Sequence, residues 1–193
     1  MKAFAALLDR LVYTPSRHGK LTLLKNYFRD VPDPDRGYAL AALTDGLPLS
    51  FPLRRILAAL AESRFDAELF RLSRDYVGDT AETVSLIWPS SNSHDQQPLL
   101  SHIVAQLAVL PRDAHAAQLA EWLDQLDVNG RWALLKFLGG APRVGVSARL
   151  AKIAVAEAFG RQVEEIEELW HGLTPPYLSL FAWLEGRSGA PPK

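Results

Sequence analysis

Apolar positions recur along the chain at the spacing of helix faces. Phe4, Leu7, Leu8, Leu11 and Val12 fall at the i, i+3, i+4, i+7 intervals that place side chains on one stripe of a helix. Leu21, Leu24, Lys25 and Phe28 resume that register after a break at Thr14–Gly19. The thirteen prolines sit mostly between periodic runs, as at Pro32, Pro34, Pro48, Pro52, Pro89, Pro98 and Pro111. There they bound helices, because a proline inside one removes a hydrogen bond and clashes with the preceding turn.

Several helix ends are signalled locally. Asp79-Thr80-Ala81-Glu82 has capping-box spacing ahead of Val84, Leu86 and Ile87. Thr174-Pro175 places a cap residue before a first-turn proline, leading into Tyr177–Leu184. Gly46, Gly139-Gly140, Gly160 and Gly186 mark stops. The best strand candidate, Arg143-Val144-Gly145-Val146, is too short to build a sheet, and no repeat period emerges. Ser90–Gln97 reads as a polar loop and Gly186–Lys193 as a linker or frayed tail. The pattern predicts an all-α fold, a single compact domain of about ten to twelve short helices over residues 1–186, with a linker at 187–193.

Composition narrows the function classes. The chain has 193 residues, 48% apolar and 22% charged, which is ordinary for a globular protein. With no cysteine there is neither a disulfide framework nor a thiolate metal site, which fits a reducing, cytoplasmic setting. The apolar run of MKAFAALLDRLVY is broken by Asp9 and Arg10, too early for a signal peptide. No window reaches the roughly 18 uncharged apolar residues of a membrane span, so no membrane partner is expected.

Net charge is −1, but the distribution is uneven. Arg10–Arg29 holds Arg10, Arg17, Lys20, Lys25 and Arg29 with no acidic residue. Gly130–Lys152 holds Arg131, Lys136, Arg143, Arg149 and Lys152, again with none. Ile153–Trp170 carries five glutamates and one arginine. The basic islands suit either solvated helix faces or a localised anionic partner.

Catalytic patterns are missing. His18, His94, His102, His115 and His171 form no i, i+4 ligand pair and no HExxH, so no metal site is expected. There is no GxSxG elbow, no thiol and no Walker loop. Glu164-Glu165 and Glu167-Glu168 belong to an acidic helix, and Asp33 and Asp35 flank Pro34 in a turn. No catalytic residue is assigned, and the chain reads as a binding or structural module.

Two turns remain. Thr14-Pro15-Ser16-Arg17-His18-Gly19-Lys20 is a polar, basic entry to a helix, whose N-terminus presents unpaired N–H groups and partial positive charge. GRWALLKFLGGAPRVGVS interrupts a helix with three glycines, places Arg143 between them, and ends on Ser147 as a cap for the helix carrying Arg149. Each is either a phosphate-facing turn or a plain helical connection with incidental cations.

Five blocks resemble the N-terminal DNA-binding domain of ATP-dependent DNA ligases, particularly the bacterial multidomain type. They are RLVYTPSRHGKLTLLKNYF, DPDRGYALAALT, SRDYVGDTAETVSLIW, NGRWALLKFLGGAPRVGVSARLAKIAVAEA and EEIEELWHGLTPPYLSLFAWLEG, in family order from Arg10 to Gly186. The resemblance implies an all-helical domain that grips nicked double-stranded DNA across the minor groove. It places Ser16, Arg17, Lys20, Arg143, Gly145 and Ser147 at phosphates, with Arg149 in the same set and Gly78 and Asp79 as a third contact; such contacts position DNA without reading bases.

Family members join DNA in repair, replication and recombination through a lysine in Lys-x-Asp-Gly that takes AMP from ATP, with Mg²⁺. Here Lys2, Lys20, Lys25, Lys136, Lys152 and Lys193 all lack a following x-Asp-Gly. The resemblance therefore implies a non-catalytic domain, excised or truncated, with no cofactor of its own. ATP, Mg²⁺, the adenylation domain and the OB-fold domain belong to the parent ligase. His18 and Pro142 depart from the family pattern within matching loops. The competing reading is an all-α protein-interaction scaffold that does not bind DNA.

Overall fold

The computed structural model describes residues 1–47, 49–89, 97–140 and 142–192. Pro48, Lys193 and most of the polar 90–97 stretch, including His94, lie outside the described residues. Among the described residues the chain is all-α, as the periodicity predicts. Its helices are α1 (Lys2–Val12), α2 (Arg17–Asp30), α3 (Asp35–Leu43), α4 (Leu53–Arg64), α5 (Ala67–Val77), α6 (Thr80–Ile87), α7 (Leu100–Val109), α8 (His115–Gln125), α9 (Val128–Leu138), α10 (Ala148–Ala158), α11 (Val163–Leu169) and α12 (Leu178–Leu184). Short 3-10 turns at Arg112–Ala114 and Trp170–Gly172 complete the set.

The chain divides into two compact units, each discontinuous in sequence, with the boundary inside α1: Met1–Ala5 with Leu49–Gly139, and Ala6–Pro48 with Gly140–Lys193. In the first, α6 packs on α9, α4 on α8 and α5 on α6. Phe4 meets Phe137 edge-on at 5.7 Å. Among the described residues its largest fully buried side chain is charged. Arg131, 1% exposed, donates Nε to Leu123 O at 2.7 Å, Nη1 to Trp88 O at 3.0 Å and Nη2 to Pro89 O at 3.1 Å. Three carbonyls accept from the guanidinium, so burial does not leave its donors orphaned.

In the second unit α10 lies along α2. Leu21, Leu24 and Phe28 of α2 and Leu150, Ala151, Ala154 and Val155 of α10 are buried, the alanines allowing close approach. Arg36 is this unit's buried cation. It forks onto Asp33 at 2.7 and 2.9 Å, reaches Glu185 at 2.6 Å and lies 4.2 Å from the Phe181 ring centre. Desolvation of the guanidinium is outweighed by these two carboxylates, which hold Arg36 above its ordinary pKa. Gly37 sits against the Pro176 carbonyl, where no side chain fits.

Local signals succeed and fail for stated reasons. Ser16 and Asp79 cap α2 and α6 through their side chains, and Gly160 and Gly186 follow α10 and α12 at φ of 68° and 72°. Thr174-Pro175 does not start α12, which begins at Leu178. Pro176 forbids Pro175 the helical region, so the pair forms a turn first. Lys25 leaves the apolar face of α2 to pair with Glu157 at 3.0 Å, and Val12 is exposed.

Candidate nucleic-acid interface

The second unit brings together two segments that the sequence holds far apart. Ser16 adopts an extended conformation and its Oγ accepts from Gly19 N at 3.2 Å, opening α2. Ser147 does the same for α10, accepting from Leu150 N at 3.1 Å. Both caps are neutral, so each helix keeps the partial positive charge of its first turn, and each hydroxyl keeps a proton to donate. Because α10 lies along α2, both starts open onto one cleft of about 380 Å³. Pro15, Arg17, Lys20, Gly145, Ser147 and Arg149 line it.

The turn before Ser147 is tight. Val144 N donates to Pro142 O at 2.9 Å and the Val144 side chain is buried. Gly145 follows at φ 69°, a region L side chains avoid. Lys20 Nζ donates to Val144 O at 2.6 Å and to Gly145 O at 3.1 Å. Arg17 is exposed and has no ion-pair partner among the described residues. Arg149 is largely exposed and only 4.0 Å from Glu167, a rim contact worth little. Arg143 is exposed too, without an ion pair among the described residues, but it is not a wall of the cleft.

Gly78 and Asp79 belong to the other unit. Gly78 ends α5 at φ 80°, with open space where a Cβ would stand. Asp79 Oδ1 accepts from Glu82 N at 2.9 Å and Oδ2 takes Lys136 Nζ at 2.7 Å. Burial alone would raise this carboxyl, yet Lys136 and the Glu82 and Ala81 amides hold it below the usual carboxylate range. The same corner borders a groove of about 890 Å³ that also carries Arg54 and Arg55. Sequence reasoning passes over those arginines; the available signal is a tandem pair in the first turn of a helix entered through Phe51-Pro52.

The basic islands dissolve on folding. Arg131 is internal and Lys136 neutralises Asp79. Lys25 and Arg29 turn to Glu157 and the Ala158 carbonyl at the far end of α10. Lys152 is 3.8 Å from Glu167 and 5.0 Å from the Trp170 ring. What stays available around the cleft is Arg17, Arg143 and Arg149, with two helix N-termini.

Among the described residues no group of three or more His, Asp or Glu side chains could hold a metal ion, and no helix is long and apolar enough to cross a membrane. No known family profile matches the chain, and no curated protein matches it either.

Proposed function

We propose that this chain is a duplex-DNA-binding domain of the ATP-dependent DNA ligase type, gripping the phosphate backbone of nicked DNA for joining chemistry done by other domains. One observation carries the reading: the starts of α2 and α10, both capped by serine, converge on a cleft walled by Arg17 and Arg149. Paired helix N-termini beside exposed guanidinium groups suit phosphate oxygens, and none of the side chains lining the cleft is acidic.

The nucleotide and metal of ligation do not fit residues of this chain. None of Lys2, Lys20, Lys25, Lys136 and Lys152 precedes x-Asp-Gly. No step of the reaction is therefore routed through it; its share is to hold the duplex, with ATP and Mg²⁺ bound by an adenylation domain.

The test is a salt titration of binding to a nicked duplex, followed by fluorescence anisotropy. With Arg17, Arg143 and Arg149 as the cations engaged, log K should fall against log salt with a slope of about −2.7. Affinity then drops about 40-fold between 50 and 200 mM salt, with little dependence on base sequence. No affinity for duplex at low salt would sink the proposal.

A protein-interaction scaffold has one observation on its side. No residue of α5 is buried, and Leu69, Leu72 and Tyr76 present an exposed apolar stripe along it. Retention of DNA binding by a Leu69→Ser, Leu72→Ser variant would separate that stripe from the DNA-binding role.

A further inference from the structure

Lys20 belongs to the phosphate ligands by resemblance, yet its ammonium faces the protein. Nζ is within hydrogen-bond reach of two consecutive carbonyl oxygens, those of Val144 and Gly145. That links the first turn of α2 to a turn more than a hundred residues along the chain. The Val144 end of the turn is anchored by its buried side chain, while Gly145 is exposed. Gly145 also makes room for the ammonium, because a Cβ built there would run into Lys20 Nζ.

Two consequences follow from elementary electrostatics. An ammonium has three donors, and two of these are committed to backbone. The carbonyls also carry negative charge at the edge of a cleft lined by Arg17 and Arg149. Unmasked, they would repel any anion that entered; covered by Lys20, they do not.

We propose that Lys20 is a positioning residue: it clamps the 143–147 turn to the start of α2 and masks two carbonyls, leaving the anion to Arg17, Arg149 and the helix N–H groups. This rests on the DNA-binding reading for what occupies the cleft. A brace and a ligand differ measurably. Each cation that neutralises a phosphate releases counterions and adds to the salt slope, whereas a cation held by carbonyls adds nothing.

The experiment uses the 193-residue chain as wild type, Lys20→Met and Arg149→Ala, a nicked duplex, and amide hydrogen exchange across residues 143–147. Lys20→Met should weaken binding about tenfold with the salt slope unchanged, and should speed exchange of the turn amides about tenfold. Arg149→Ala should do the reverse, lowering the slope by about one with exchange unaltered. Lys20→Arg, which keeps donors in reach, should restore much of the protection. Gly145→Ala approaches the same contact from the turn and should reproduce the fast exchange with the Lys20 charge intact.

A slope reduced by about one in Lys20→Met would make Lys20 a phosphate ligand and overturn the proposal. Unchanged exchange at 143–147 in both Lys20→Met and Gly145→Ala would overturn it as well. If wild type ignores duplex DNA at low salt, the DNA reading falls, and the exchange measurements still decide whether Lys20 braces the turn.

Discussion

The α2/α10 cleft and the α5/α6 corner are built from the same parts, helix starts beside glycine and cations, and come out electrostatically opposite. At the cleft the caps are Ser16 and Ser147, neutral side chains that satisfy one amide each. At the corner the cap is Asp79, whose charge meets both the α6 N-terminus and the Lys136 ammonium. A carboxylate cap gives the more stable helix start and cancels the field that would draw an anion. A serine cap leaves that field available. The difference teaches that a helix N-terminus reads as an anion site only after its cap and the nearest cations have been accounted for.

Substitutions can break this contrast. The largest effect is expected where a cation is wholly structural: Arg131→Met leaves the buried Leu123 and Trp88 carbonyls without this donor and the Pro89 carbonyl to solvent, and should cost about 3 kcal/mol, read by urea denaturation followed by circular dichroism. Asp79→Ala removes a cap and a partly exposed ion pair, for a loss of about 1.5 kcal/mol in the same assay.

That contribution depends on pH. Folding holds the Asp79 carboxyl below its ordinary value, so its stabilisation is complete above the unfolded pKa of about 3.9 and fades as pH falls through the lower folded value. Wild type and Asp79→Ala should therefore differ most near neutral pH and converge in acid.

Asp79→Ser converts the corner to the cleft's chemistry. It keeps a cap, frees Lys136, and should steepen the salt slope of DNA binding by about one if the corner also meets the duplex. Ser147→Ala should cost about 1 kcal/mol of stability through lost capping. Smallest in stability is Arg17→Ala, expected within about 0.5 kcal/mol of wild type while lowering the salt slope by about one. A slope unmoved by Arg17→Ala would end the cleft's claim to that phosphate.

How far the site was legible follows from where each partner lies. Ser147 is legible as a cap because a cap bonds an amide three residues on, and the structure adds Ser16, which the sequence reading treats as a hydroxyl donor at a helix entry. Gly145 reads as a place where backbone passes close to a neighbour, and a Cβ there would meet Lys20 Nζ; of the glycines that read as positive-φ positions, Gly140 takes φ 100° and Gly139 stays at −78°. Thr174-Pro175 misled because the next residue is also proline, a constraint that outranks the cap. Charge runs misled more. Arg131 and Arg143 sit in one basic stretch; one is sealed among carbonyls, the other stands in solvent. Nothing in their spacing separates them.

Legible from the order of residues alone are the helical character of the chain, several of its helix ends and the Ser147 cap. Those depend on interactions within a turn or two, where the neighbours are known from the order of residues. Which cations remain free to meet an anion was decided only in three dimensions. Lys20 is claimed by Val144 and Gly145, Lys25 by Glu157, Lys136 by Asp79 and Arg131 by Leu123, Trp88 and Pro89. Apart from the local Leu123 carbonyl, these partners arrive from distant segments. A charge is spent or spared according to what folding brings within about 3 Å of it.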